Sequence, residues 1–373
     1  MGWSWRVGRI AGIPVYLHGT FLALIAFLFV SDWSQGRDLA AALAGIGFVL
    51  LIFGTVVLHE LGHAMAARRF GIRTRDITLL PIGGLARLER MPDVPRQELW
   101  VALAGPAVNV ALAVLTFLAG SAFAGGEPEW TPSLESESAL QRFMSVNVLL
   151  AAFNMIPAFP MDGGRALRAL LAERWDYVRA TEIAAYLGQG LALVFGFVGL
   201  FANPFLVFIA LFVWMGASAE SSAVTIRSAL AGIPVSRAMI RDFRALPVDA
   251  TLAQVAEFVI AGSQRDFPVL EHDRVVGILT RDALVKALAA PGQDWRVGDA
   301  MTDAFETVDA GEMLERAFAR LQAGQCPVLP VLSAGRLVGL LTADNVGEYV
   351  VLRGALDRSS HDERQGGAGR IPA

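Results

Sequence analysis

His59-Glu60-Leu61-Gly62-His63 sets two imidazoles four positions apart, with a carboxylate directly after the first. Residues four apart share one face of a helix, so both rings can reach a single zinc ion. Glu60, a step off that axis, can touch a water beside the metal. The chemistry such a set supports is hydrolysis. Zinc lowers the pKa of water to about 7 and polarises a carbonyl, while a carboxylate takes the water's proton and later hands it to the leaving amine. In that scheme Glu60 is the general base and not a ligand, so a third protein ligand is needed, with a further position left open.

Asp162 is the candidate. It ends the run Asn154-Met155-Ile156-Pro157-Ala158-Phe159-Pro160-Met161-Asp162 and is followed by Gly163-Gly164-Arg165. Two prolines and two glycines stop a helix there. Irregular backbone at membrane depth is tolerated only where it packs in protein or lines a wet cavity. The competing reading is a set of polar helix contacts, but ionisable groups in hydrocarbon cost at least ~2.5 kcal/mol each, which favours a metal. Asn154 has two readings: a donor to the peptide oxyanion or substrate backbone, or a helix-packing amide. Gly105-Pro106-Ala107-Val108-Asn109 is expected to kink its helix and pack a buried amide against the site. His18, isolated in the sequence, is expected to pack or gate rather than ligate.

The elements that must position these groups are apolar helices. Leu39 to Leu58, immediately before the histidine motif, carries no charge, and about twenty such residues span the hydrocarbon core. Further uncharged runs are Ile10 to Ser31, Leu99 to Gly126, Phe143 to Met161 and Ile183 to Ala219, the last broken into two at Asn203-Pro204. The expectation is six transmembrane helices. The Ser31-Asp32-Trp33-Ser34 sequence after the first run offers no small-x-small cleavage site, so that run is expected to remain.

Arg6 and Arg9, Arg68 to Arg75, Arg165, Arg168 and Arg174, and Arg227 fall in alternate loops, opposite Asp32 and Glu127 to Glu137. By the positive-inside rule both termini are then cytoplasmic, and both ligand sets arrive near the cytoplasmic side of the core. The segment Ile77 to Glu89 reads as short β segments after the second helix. It either offers an edge that pairs with an unwound substrate or caps the bundle as a hairpin.

The 373 residues are 54% hydrophobic and 18% charged, with a net charge of −4. Membrane integration follows, and no basic tract exists for nucleic acid to grip. Cys326 is the only cysteine, which excludes an internal disulfide framework and a thiolate cage.

After Ala219 the chain changes to alternating strands and helices, and it repeats. Met239, Pro268-Val269-Leu270, Gly277-Ile278-Leu279-Thr280 and Asp282 recur 62 residues later (301 − 239) as Met301, Pro330-Val331-Leu332, Gly339-Leu340-Leu341-Thr342 and Asp344. Two copies of one βαββα unit are expected. The stretch Gly354 to Ala373, Gly-rich and charged, is expected to be a disordered tail.

The first part resembles the site-2 protease family of intramembrane zinc metalloproteases, from about Val7 to Ser222. Its HExxH motif corresponds to His59, Glu60 and His63, and its N-x-x-P-x-x-P-x-D-G motif to Asn154, Pro157, Pro160, Asp162 and Gly163. The resemblance implies one zinc ion per chain and regulated proteolysis, in the plasma membrane, of a single-pass or membrane-tethered protein such as a transcription regulator.

The repeat resembles a pair of cystathionine-beta-synthase (CBS) domains, about 232–290 and 294–353 within 223–353, following a protease domain of 1–222. Such pairs commonly bind adenine nucleotides and associate as dimers. The nucleotide candidates are Thr280, Asp282, Thr342 and Asp344. The family's ribose-contacting acid falls instead on Ala283 and Asn345, so a dimerisation or substrate-gating role stands beside nucleotide binding. A transporter or channel with CBS domains is the rival reading. Glu60 at the general-base position and the lack of an inverted repeat across the spans favour the protease.

Overall fold

The computed structural model describes residues 3–81, 83–92, 94–123, 138–290, 295–324 and 326–366. The chain divides into two compact units, Met1–Val224 and Thr225–Ala373.

The first unit opens with a hairpin, β1 (Ser4–Ile10) and β2 (Ile13–His18). This corrects the expectation that Ile10 to Ser31 is one helical run. Ala11 and Gly12 both take positive φ, 51° and 86°, the conformation of a tight two-residue hairpin turn, and they reverse the chain inside the uncharged stretch. Helix α1 (Gly19–Ser34) therefore begins late, with His18 as its N-cap: the His18 Nδ1 accepts from the Thr20 N–H at 3.3 Å.

Asp38 caps the next helix, α2 (Leu39–Arg69), by accepting from the Ala41 N–H. Strands β3 (Thr74–Leu80) and β4 (Gly83–Leu88) follow. They complete a four-stranded sheet in the order β1-β2-β3-β4. Strands β2 and β3 pair in parallel, Val15 opposite Ile77 and Leu17 opposite Leu79. A parallel pair needs a long crossover, and α1 with α2 supplies it. Strand β4 is left with an unpaired edge among the described residues.

Helix α3 (Pro95–Phe123) packs against α2, against α4 (Ala139–Asn154) and against α5 (Asp162–Leu171), and so forms the centre of the unit. Between α4 and α5 the chain is irregular and includes a cis Phe159–Pro160 bond. The glycines after Asp162 allow α5 to lie on that turn: a Cβ at Gly164 would sit 2.6 Å from the Ala158 carbonyl carbon and the Phe159 nitrogen. Helices α6 (Tyr177–Phe201) and α7 (Phe205–Leu230) close the bundle. Among the described residues, α2, α3, α6 and α7 are each long and apolar enough to cross a membrane. Helices α1 and α4, with 16 residues each, are shorter.

The second unit folds twice in one pattern. The first copy comprises β5 (Leu246–Pro247), α8 (Leu252–Ala261), β6 (Phe267–Glu271), β7 (Arg274–Leu279) and α9 (Arg281–Leu288), and the short helix α10 (Val297–Ala300) follows. The second copy comprises β8 (Val308–Asp309), α11 (Leu314–Ala323), β9 (Val328–Ser333), β10 (Arg336–Thr342) and α12 (Ala343–Gly366). In each, a short strand pairs in parallel with the first arm of an antiparallel hairpin.

The copies meet through Ile278, Cys326, Val328 and Leu340. They also exchange backbone bonds, Ile240 with Leu340 and Ile278 with Thr302. Helix α12 runs to Gly366, so its last turns extend into the segment expected to be disordered. Ala355, Leu356, Arg358, Glu363, Arg364 and Gln365 are helix formers that continue it. Residues 367–373 lie outside the described residues.

Candidate metal centre

His59 and His63 sit on consecutive turns of α2, and Asp162 is the first residue of α5; all three are buried. The two Nε2 atoms are 3.1 Å apart, and the Asp162 Oδ2 lies 3.1 Å from that of His59 and 3.0 Å from that of His63. The outer ring nitrogens fix what these atoms are. The His63 Nδ1 is 2.7 Å from the Val101 carbonyl oxygen, which can only accept, so Nδ1 carries the proton.

For His59 the same conclusion comes through a chain of amides. The Phe143 carbonyl accepts from the Asn147 Nδ2, so the Asn147 Oδ1 accepts from the Asn109 Nδ2. The Asn109 Oδ1 then faces the His59 Nδ1 at 2.5 Å and must receive its proton. In the neutral rings both Nε2 atoms are thereby left as lone pairs beside a carboxylate.

Three electron-pair donors within 3.1 Å of one another need a positive charge between them, a shared proton or a metal ion. Two imidazoles and one carboxylate with second nitrogens held by oxygen acceptors form a donor set typical of catalytic zinc. Zinc–ligand distances of about 2.0–2.1 Å in a tetrahedron imply ligand separations of roughly 3.3 Å, close to those present. The residues fit the ion.

The packing is cut to admit this centre. At Gly105 on α3 a Cβ would lie 2.7 Å from the His59 Nε2 and closer still to the His63 ring. Gly62 does the same on α2, where a Cβ would meet the Ala104 carbonyl oxygen at 2.7 Å. Glu60 points to the other side, toward β4. Its Oε2 accepts from the Ala86 N–H at 3.1 Å, and a Cβ on Gly84 would meet its Cγ at 2.7 Å. Glu60 and His63 border a small cavity of ≈ 20 Å³, about the volume one water requires.

Sequence similarity decides what this arrangement belongs to. The model of peptidase family M50 matches residues 47–134 and 129–195. A zinc metalloprotease of Methanocaldococcus jannaschii is 32% identical over 280 residues, 75% of this chain and 78% of its own length. The chain belongs to peptidase family M50.

Rip3 of Mycobacterium tuberculosis is similar along almost the whole M50 chain, 28% identical over 370 residues and 92% of each protein. The solved site-2 protease from Methanocaldococcus jannaschii is 35% identical and covers 59% of this chain and 95% of its own, with a TM-score of 0.45. The CBS domain model matches residues 235–290 and 297–351. This M50 member is an intramembrane zinc metalloprotease that carries two CBS domains.

The structure brings His59, His63 and Asp162 together, with Glu60 and His63 bordering the same small cavity. Asn154 makes no hydrogen bond to them among the described residues; its Nδ2 donates to the Leu150 carbonyl at 3.0 Å within α4. Thr280 and Thr342 use their hydroxyls to cap helices, accepting from the N–H groups of Ala283 and Asn345. Asp282 and Asp344 are exposed in the first turns of α9 and α12. Residues that bear on the site but had no assigned role in the sequence are Val101, Asn147 and Ala86. Asn109 was expected only to pack, whereas it orients His59.

Proposed function

We propose that His59, His63 and Asp162 hold the zinc ion and that Glu60 is the general base in hydrolysis of a peptide bond within or near a transmembrane segment. The bound ion would supply polarisation of the scissile carbonyl and a nucleophilic water at neutral pH. The side chains do the rest. Val101 and Asn109 keep the two imidazoles in one tautomer and one orientation, so no reorganisation is needed at the moment of reaction. Glu60, tethered to Ala86 and facing the small cavity, takes a proton from water there and delivers it to the departing amine. Helices α2, α3, α4 and α5 exclude bulk solvent, which strengthens each of these interactions.

Substrate presentation falls to β4. A transmembrane helix hides its carbonyls in its own hydrogen bonds and must unwind before it is cut. The outer edge of β4, which pairs with no further strand among the described residues, supports pairing with the unwound strand once the Ala86 N–H is released by Glu60. Asn154 gives one Nδ2 hydrogen to the Leu150 carbonyl, and its second is the donor for the oxyanion or substrate-backbone role. The substrate class is a single-pass or membrane-tethered regulator.

Six crossings, counting α1 and α4 with the four longer helices, would leave both termini on one side of the plasma membrane, and the arginine-rich loops make that side the cytoplasm. The loop acids Glu127 to Glu137 that contribute to this orientation lie outside the described residues. The CBS pair regulates the protease through an adenine nucleotide, with Thr280, Asp282, Thr342 and Asp344 as the candidate contacts, or through homodimer formation.

The observation that carries the reading is the convergence of three metal-donor atoms, from two helices, one residue away from a carboxylate. The test is a reconstituted Glu60→Gln variant with a single-pass reporter. Cleavage should disappear while one zinc per chain remains. Solute transport by the wild type and the variant alike, with no proteolysis by either, would overturn the assignment.

A further inference from the structure

Asp162 needs an anchor that its own helix does not provide. Helix α5 has ten residues and is joined to α4 by irregular chain. The anchor lies six positions on. Arg168 is 0% exposed. Its Nε and Nη2 donate to the Glu98 Oε1 on α3 at 2.8 and 2.5 Å, and its Nη1 donates to the Glu220 Oε1 on α7 at 2.5 Å. Its guanidinium carbon lies 5.1 Å from the ring centroid of Phe159, in the turn before Asp162, and 4.9 Å from that of Tyr177 at the start of α6.

One planar cation thus touches three helices and the turn around α5. Glu98 lies one turn before Val101, whose carbonyl holds His63, so the guanidinium joins the helix bearing the carboxylate ligand to the helix that orients an imidazole. A buried cluster of this kind contributes little net stability over apolar packing; its best-attested use is to fix register.

We propose that Arg168 is a positioning residue for the metal centre: through Glu98 and Glu220 it sets α5 at the depth and rotation where the Asp162 carboxylate meets His59 and His63. The inference rests on the zinc reading above. A lysine cannot substitute, because an ammonium lacks the planar fork that serves two carboxylates and two aromatic faces at once. Glu220 is the arm reaching α7.

The experiment uses the full chain in detergent, with wild type, Arg168→Met, Arg168→Lys and Glu220→Gln compared on their monodisperse folded fractions. Zinc affinity is read by chelator competition, and ligand geometry by the visible spectrum of the cobalt-substituted protein. Arg168→Met and Arg168→Lys should bind zinc about 10- to 100-fold more weakly, the range for residues that orient metal ligands. They should also show an altered cobalt spectrum, and excess zinc should restore turnover without a change in KM.

A purely structural role would reduce the folded fraction but leave the affinity of what remains unchanged. Zinc binding by folded Arg168→Met within twofold of wild type overturns the inference. If both Arg168 variants fail to fold, Glu220→Gln decides, because its side chain is 29% exposed and the Arg168–Glu98 pair survives. An affinity loss of about threefold or more supports the proposal and an unchanged affinity overturns it. Absence of zinc from the wild type would instead refute the metal reading on which it rests.

Discussion

Replacing Asn109 with alanine should weaken zinc binding without touching a ligand. The change removes the acceptor 2.5 Å from the His59 Nδ1 and the donor 3.3 Å from the Asn147 Oδ1, in a region where both asparagines are fully buried. With the ion bound, His59 must keep its proton on Nδ1, which then faces a void. Without the ion, the ring is free to change tautomer. The penalty therefore falls mainly on the bound state and lowers affinity. An unsatisfied buried donor costs about 1–3 kcal/mol. At about 1.4 kcal/mol per factor of ten this is roughly 5- to 150-fold in affinity, in line with the 10- to 100-fold cost of losing an outer hydrogen-bond partner of a metal-bound histidine. Asn109→Asp keeps an acceptor in place and should retain most of the affinity. Chelator competition on the purified chain measures both. Zinc affinity of Asn109→Ala within twofold of wild type would refute the idea that this amide fixes the working tautomer.

Other substitutions separate the parts of the site. Glu60→Gln should lower turnover by at least about 10²-fold with zinc content unchanged, as read by metal analysis beside reporter cleavage. Gly105→Ala should abolish zinc binding, because its methyl group would occupy the space between α3 and the two imidazoles; stoichiometric zinc in that variant would show that the helices separate readily. Gly84→Ala should retain zinc yet lose most cleavage, since the new methyl group displaces Glu60.

In the CBS unit, burial pushes the Asp266 carboxyl above its usual range. A raised folded-state pKa means that this contribution is present below the unfolded carboxylate value and is lost as pH rises through the folded one. Asp266→Asn, which keeps an acceptor for the Arg281 N–H, should flatten that decline in thermal melts of the full chain across acidic to neutral pH.

The parts of this molecule that could be read from sequence are those in which side-chain type and local spacing carry the information. His59 and His63 are separated by a helical turn with Glu60 directly after the first, and Asp162 is marked by the prolines and glycines that break the chain before and after it. The CBS repeat shows itself by self-similarity. Hidden from such reading were groups whose role depends on contacts between distant elements. The Val101 oxygen is backbone and has no residue signature. Asn109 and Asn147 are 38 residues apart.

Arg168 shows the limit most clearly. Counted along the chain it is one of several loop cations that orient the bundle, yet in the fold it is enclosed with Glu98 and Glu220, 70 and 52 residues away. A charge so neutralised says little about membrane sidedness. The N-terminal hairpin was missed for a different reason. An uncharged run satisfies both a helix and a pair of strands, and the turn at Ala11-Gly12 was the only local sign that the second applied.

X-ray absorption at the zinc edge of the purified, catalytically active chain tests the metal centre most directly. The expected result is one zinc per chain, with two imidazole nitrogens and at least one carboxylate oxygen at about 2.0–2.1 Å, and loss of the ion in Asp162→Ala. A zinc shell without histidine, or an Asp162→Ala protein that keeps the same shell and cleaves its reporter normally, would contradict the assignment.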